Sequence, residues 1–172
     1  MLFRSGSENV AFRAQLVVPE LRQLYDYWLE KARGRQMPGR SDIHPAHIPK
    51  LLPHISLVDV DAGSGACCVR LAGTRLRDVY DREITGLAVE ELDLGDKRDY
   101  WMAAYRRTVA EGKPTQGIVR GPRVNKEHLV QFWLKLPLAR TDGGGVGMLL
   151  CIDYFQPAQD EDSLPLARAE AG

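Results

Sequence analysis

The chain has 172 residues, 44% of them hydrophobic and 27% charged, a composition typical of one globular domain with a sizeable core. Its 23 basic residues balance its 23 acidic residues, which argues against nucleic acid or an anionic membrane as a partner. Two of the three cysteines are adjacent, so no disulfide framework is expected, and no apolar run suits a membrane span, so we expect a cytoplasmic protein.

The first clear element is an amphipathic helix that begins at Pro19 and stops before Gly34. Residues 1–17 show no clear period and are expected to form an N-terminal extension. Five large apolar side chains share one helical face: Leu21, Leu24, Tyr25, Trp28 and Leu29. We expect this face to pack across the outer surface of a sheet and to be the candidate interface of a homodimer.

A segment rich in proline and histidine follows, and we call residues 40–54 the proline strap. It contains Pro45, Pro49, Pro53, His44, His47 and His54. The histidines, together with Asp42, offer enough ligand atoms for zinc. Each proline fixes its own φ angle and disfavours helix at the preceding residue, so single turns are expected instead of a helix that aligns the histidines. We therefore favour a strap pressed on the core, without a metal.

The rest of the chain predicts two strands, then helices, then three strands. The strands are expected near residues 54–60, 67–72, 115–121, 127–138 and 145–155. A short helix capped by Thr74 and a long helix over residues 96–111 separate the two groups. Because strands and helices do not alternate singly, we expect an α+β fold, a five-stranded antiparallel sheet with helices on one face and the N-terminal amphipathic helix covering the other. Residues 156–172 are expected to be a flexible C-terminal tail.

Three stretches of the sequence resemble a known family. They are "LYDYWLEKARGRQMPGRSDIHPAHIPKLLPHISLVDV", "VRLAGTRLRDVYDREITG" and "QFWLKLPL" followed by "GMLLCIDYF". Together they resemble the PAS domain, in the group found mainly in alphaproteobacteria, and the resemblance covers roughly residues 19–155. It implies a single PAS domain over residues 18–155, with the fold already expected from the order of elements. The fold alone supports only an analogy of function.

The resemblance also allows a check for cofactors. Haem-binding PAS domains take an axial histidine from the long helix, and the corresponding residues 96–111 contain none. Light-sensing flavin members carry a cysteine on a helix before that one, and no cysteine lies between Gly73 and Lys113. We therefore expect no cofactor.

Alternation along the expected strands predicts which residues face the interior. The candidate pocket combines the more apolar alternate positions with aromatic residues of the helices: Val69, Leu71, Tyr80, Trp101, Tyr105, Phe132, Leu134, Met148 and Leu150. We expect these large side chains to leave at best a small cavity. No charged residue is expected at an inward position, so any ligand would be small and mainly apolar.

The leading functional hypothesis is a non-catalytic sensory and protein-interaction module of bacterial signal transduction. It would act through a separate partner chain, such as a histidine kinase, a cyclic-di-nucleotide enzyme or a polar scaffold protein. No serine lies in a G-x-S-x-G turn, and no enzyme activity is expected. The alternative is an enzyme of unknown activity, or a receptor for a cyclic di-nucleotide or other small molecule that uses Arg33, Arg35 and Arg40. The simpler interpretation of these arginines is a solvated, positively charged helix end.

Overall fold

Five strands form one antiparallel sheet in a computed structural model that describes residues 6–123 and 125–159. The strands are β1 Ile55–Val60, β2 Cys67–Ala72, β3 Thr115–Arg120, β4 Leu129–Ala139 and β5 Val146–Pro157. Their order across the sheet is β2-β1-β5-β4-β3, and every neighbouring pair is antiparallel. The predicted α+β fold with a five-stranded antiparallel sheet is confirmed.

Four α-helices lie in the described residues: α1 Gly6–Ala14, α2 Pro19–Ala32, α3 Thr74–Tyr80 and α4 Arg98–Glu111. Helix α1 lies in the segment that was expected to be an extension without a period. Thr74 does not cap α3 as predicted, because Gly73 takes the cap position and Thr74 is the first helical residue. Arg33 follows the last residue of α2 as its C-terminal cap; it adopts a left-handed conformation with φ of 51° and donates its N–H to the Glu30 carbonyl.

The sheet buries side chains on both faces, and each face has its own core. The outer face lies under α2 and the proline strap, and its core includes Trp28, Leu57 and Leu134. The inner face lies under α3 and α4, and its core includes Val58, Trp101 and Leu149. Strand β4 therefore contributes buried residues to both sides, as its apolar sequence requires.

The proline strap consists of three single helical turns, at Arg40–Asp42, Pro45–His47 and Leu52–His54. Its apolar residues Ile43, Ile48 and Leu51 are buried in the outer core, as expected for a segment pressed on the core. His54 lies apart from the other strap histidines, since its ring stacks on Tyr154. In the part of the chain that the structure describes, no group of three His, Cys, Asp or Glu side chains is arranged to hold a metal ion.

Strand β4 continues past the end of β3. Lys135 lies opposite Thr115, the first residue of β3, so Pro137 and Ala139 have no β3 residue beside them. Two residues that precede β1 in the chain form hydrogen bonds with this end of β4 instead. The indole N–H of Trp28 donates to the Pro137 carbonyl at 2.9 Å, and the Ala139 N–H donates to the Pro38 carbonyl at 2.8 Å. The strand tolerates a proline at this position because no β3 carbonyl requires its missing N–H.

The last strand of the sheet extends beyond the residue at which the C-terminal tail was expected to begin. Strand β5 runs to Pro157, so the first residues of the predicted C-terminal tail belong to the sheet. Residues 160–172, the remainder of that predicted tail, lie outside the described residues.

Candidate functional site

A lysine ammonium lies inside the inner core. Lys135 projects from β4 and is only 2% exposed. Its Nζ lies 4.0 Å from the ring centroid of Tyr105 and 5.2 Å from the ring centroids of both Trp101 and Trp133. These are cation–π distances, and such contacts gain strength where water is excluded. The three rings therefore form an aromatic cage around the positive charge.

A buried carboxyl group lies beside the caged lysine. Asp153 projects from β5, is 6% exposed, and accepts a hydrogen bond of 2.6 Å from Nε2 of Gln131 on β4. Burial raises the pKa of Asp153, and the Lys135 charge, the Gln131 hydrogen bond and His54 oppose that rise. Lys135, Asp153 and Gln131 thus form a polar group within an otherwise apolar core, and we call it the buried triad.

The buried triad lines a chamber between the inner face of the sheet and the helices. The inner chamber has a volume of about 20 Å³ and is also lined by Tyr80, Trp101 and Tyr105. Within the described residues, Nε1 of Trp101 is a buried donor without a hydrogen-bond partner. Burial raises the pKa of the Tyr80 and Tyr105 hydroxyls, so both stay protonated at neutral pH. The space and these polar groups suit one ordered water molecule.

The volume of the inner chamber sets what it can hold. Pockets for cofactors and drug-sized ligands measure about 300–1,000 Å³. A chamber of about 20 Å³ does not accommodate a flavin or a haem. Two cysteines lie near the triad, and burial raises the pKa of the Cys67 and Cys151 thiols to about 11. They are protonated at neutral pH and therefore weak nucleophiles.

The structure divides the nine residues of the predicted pocket between the two faces. Four of them, Val69, Tyr80, Trp101 and Tyr105, line the inner chamber. Four others, Phe132, Leu134, Met148 and Leu150, belong to or pack against the outer core, and Leu71 is exposed on that side. The prediction that all nine face one interior is therefore wrong. The more apolar alternate positions of β4 and β5 turn toward α2, which reverses the assignment of Phe132, Leu134, Met148 and Leu150. Val69 and Leu71 lie on opposite faces because the pairing of β1 with β2 shifts register between Leu57 and Val58.

The expectation of an uncharged interior is also wrong, because Lys135 and Asp153 occupy inward positions. The sequence carries a signal for them. Gln131, Trp133 and Lys135 are alternate residues of β4 and share one face, and Asp153 follows four apolar residues of β5 in "LLCID". Polar residues at alternate positions of an otherwise apolar strand indicate a buried polar group.

The predicted homodimer interface lies inside the protomer. Leu21, Leu24, Tyr25 and Trp28 are 0–2% exposed and form part of the outer core, while Leu29 is partly buried against it. The face of α2 therefore packs across the sheet, as expected, but these side chains are not available to a second copy. A homodimer would need other residues.

The three arginines of the alternative anion site have separate surroundings. Arg35 pairs with Asp42 at 3.0 Å and donates to the Ala32 and Lys31 carbonyls. The Gly39 N–H, Arg35 and Arg33 all lower the pKa of Asp42, so this carboxylate offsets charge in the segment. Arg40 instead donates to the Ile43 carbonyl. The structure does not direct these three side chains at one anion.

Comparison with known proteins identifies the family to which the chain belongs. A family model described as a PAS domain matches residues 16–152. A search of curated proteins gives no significant sequence match. Within residues 6–123 and 125–159, none of the helices is both long and apolar enough to cross a bilayer.

Several solved structures are similar in fold. A light-oxygen-voltage domain described with a flavin analogue has 12% identity and a TM-score of 0.50, covering 68% of this chain and 84% of its own. The Rhodobacter sphaeroides LOV protein has 17% identity and a TM-score of 0.47, covering 74% and 71%. A sensory box sensor histidine kinase from Vibrio cholerae has 13% identity and a TM-score of 0.47, covering 66% and 90%. At these identities the likeness concerns the fold alone.

Proposed function

Because the chain belongs to the PAS domain family, we propose that it is a non-catalytic sensory and protein-interaction module of bacterial signal transduction. It acts through a separate partner chain, of the class of histidine kinases, cyclic-di-nucleotide enzymes or polar scaffold proteins. The observation that carries the proposal is the buried triad. A buried lysine near a buried carboxyl group is an element whose protonation or hydration can change.

The energetic cost of the triad favours a role other than stability. Removing a lysine and a carboxyl group from water costs several kcal/mol for each ion, and apolar replacements of buried pairs are often neutral or stabilising. The Lys135 ammonium and the Asp153 carboxyl lie in an almost filled core, so the ionised form of either group is poorly solvated. Titratable groups with perturbed surroundings concentrate at functional sites.

Strand β4 gives a short route from the triad to the outer face. Lys135 lies two residues before Pro137, whose carbonyl accepts the hydrogen bond of Trp28 on α2. A change in the charge or hydration of the triad therefore acts on a strand that is bonded directly to the outer helix. A partner that contacts α2 or its neighbours would sense this change.

The proposal is tested by capturing partners from a native cell extract. The baits are the parent chain, the double variant Lys135→Met/Asp153→Asn, and Lys113→Met as a matched control at an exposed lysine. We expect the parent and the control to enrich a signalling protein, identified by mass spectrometry. The folded double variant should capture at least tenfold less of that protein. If the parent enriches no signalling protein, the proposal fails. Equal enrichment by the double variant removes the triad from the mechanism.

The proposed module is a homodimer that uses surface residues outside the outer core. Val10 on α1 and Val17 after it are 71% and 62% exposed, so both are available to a second copy. Sedimentation equilibrium at high micromolar concentration should give a dimer, and Val10→Asp/Val17→Asp should shift it toward monomer. Gln23→Asp, on the exposed side of α2, is the control. A monomeric parent protein contradicts the dimer.

A further inference from the structure

A second cavity lies on the outer face, between the proline strap and the edge of the sheet. This outer groove has a volume of about 410 Å³, within the range of about 300–1,000 Å³ typical of ligand sites. Its floor is a row of three leucines on adjacent strands: Leu71 on β2 lies opposite Leu57 on β1, which lies opposite Leu150 on β5. The floor therefore spans about 10 Å of apolar surface.

The walls of the outer groove are apolar and stiff. The strap contributes Ile43 and Ile48 together with its three prolines, whose rings fix the local backbone. Leu52 on the strap and Leu71 at the outer end of the floor are 37% and 55% exposed. Exposed apolar residues gathered around a groove mark a binding surface. A wall that is rigid before binding loses little entropy when a ligand enters.

One cation accompanies this apolar surface. Arg40 is the one charged side chain among the described residues that line the outer groove. None of the ion pairs within the described residues involves Arg40, and the nearby Asp42 is paired with Arg35. Its Nη1 donates to the Ile43 carbonyl at 2.9 Å, which orients the guanidinium on the strap. The planar guanidinium matches a carboxylate with two parallel hydrogen bonds.

We propose that the outer groove binds a single-chain amphiphile with a carboxylate head, of the class of medium-chain fatty acids. The alkyl chain lies over Leu57, Leu71 and Leu150, and the carboxylate binds Arg40. One guanidinium balances one carboxylate charge, which favours this class over a doubly charged phosphate ester. The inference does not rest on the proposed sensory function, because the groove and the inner chamber lie on opposite faces of the sheet.

The first test compares amphiphiles that differ only in head or length, titrated calorimetrically into the full chain below their micelle-forming concentrations. We expect decanoate to bind, decanol to bind about tenfold more weakly because it lacks the charge-assisted hydrogen bonds, and decyltrimethylammonium to bind weakest. Octanoate should bind about tenfold more weakly than decanoate, since it lacks two methylenes. Equal binding of the cationic and anionic amphiphiles overturns the proposal.

Variants then separate the charge from the apolar floor. Arg40→Gln should weaken decanoate about tenfold and leave decanol unchanged, whereas Leu71→Gln should weaken both ligands. Lys50→Gln is the matched control, since Lys50 lies on the same strap but does not line the groove. Thermal melts check that each variant is folded, and all three positions are exposed enough to tolerate the change. An effect of Arg40→Gln on decanol equal to that on decanoate overturns the role of the carboxylate.

The place of binding provides a third readout. Decanoate should shift the methyl NMR signals of Leu57 and Leu71 and leave that of Val58, on the inner face, unchanged. Shifts confined to Val58 overturn the assignment to the groove. Absence of binding, together with a dimer that Leu71→Asp dissociates, assigns the outer groove to a second copy of the chain and also overturns the proposal.

Discussion

Trp28 and Pro137, 109 residues apart in the sequence, are joined by a buried hydrogen bond of 2.9 Å from the indole Nε1–H to the backbone carbonyl. The side chain replaces a missing strand, because β3 ends before it reaches Pro137. A buried carbonyl without a partner costs more than the net gain from one hydrogen bond. Trp28 therefore fills the outer core and also provides the hydrogen-bond donor for the Pro137 carbonyl, which has no partner on β3.

We expect Trp28→Phe to be more destabilising than Trp101→Phe by about 1–3 kcal/mol. Both tryptophans are almost fully buried, but Nε1 of Trp101 has no hydrogen-bond partner among the described residues. The two substitutions remove similar apolar volume and both leave a phenyl ring in place, so the hydrogen bond to Pro137 should account for most of their difference. Urea unfolding followed by circular dichroism measures both free energies of unfolding. Equal losses for the two variants would show that the bond contributes nothing.

The buried carboxyl of Asp153 makes the stability of the fold depend on pH. Burial raises its folded pKa above the unfolded value of about 3.9, so the folded state holds a proton that the unfolded state releases. The free energy of unfolding therefore falls as pH rises from about 4 to the raised pKa and then stays level. Asp153→Asn lacks this titration and still accepts the bond from Gln131. Its stability relative to the parent should increase across that window, as measured by urea unfolding at several pH values. Parallel profiles would contradict the assignment.

A double-mutant cycle tests the coupling of the caged lysine to the carboxyl. Lys135→Met should destabilise the fold at pH 7.5, because it removes the cation that favours the ionised form of the buried Asp153. Lys135→Met/Asp153→Asn should recover most of that loss, since no uncompensated charge remains. Equilibrium unfolding of the parent, the two single variants and the double variant gives the interaction energy. Additive losses would mean that the two groups do not act on each other.

The cysteines should react in two classes. Cys67 and Cys151 are buried, and burial raises the pKa of both thiols to about 11, whereas Cys68 is partly exposed. Ellman's reagent at pH 8 should therefore label one thiol rapidly in the native protein and all three in denaturant. Cys68→Ser should remove the rapid phase. A rapid phase that survives this substitution would place one of the other two thiols at the surface.

Local signals in the sequence account for most of the fold. Helix α2 is marked by Pro19 and Gly34, and the strands by runs of β-formers separated by glycine-rich turns. The single turns of the strap follow from its prolines. Helix α1 was missed because it buries none of its residues fully and so shows no apolar period. The side that α2 covers was expected from the two apolar faces of β4.

The orientation of the strand faces could not be predicted from local signals. A strand covered on one side reveals its inner face by polar alternation, but β4 and β5 are covered on both. Phe132 and Lys135 have opposite parity, and the more apolar parity turned out to face α2. Only the tertiary arrangement decides which side carries the polar residues. The buried triad was missed for this reason, although its polar members stand out within their strands.

The bond between Trp28 and Pro137 joins two segments that the ribosome makes at different times. The ribosome completes α2 long before it reaches β4, and 109 residues separate the two partners. At about 5–20 residues per second this interval lasts about 5–20 s. Throughout it, the apolar side chains of α2 have no sheet to cover, because the strands that bury them come later in the chain. The nascent N-terminal half therefore exposes the apolar face of an amphipathic helix, which is prone to aggregation. A chaperone that binds this face until β4 emerges would determine the yield of folded protein.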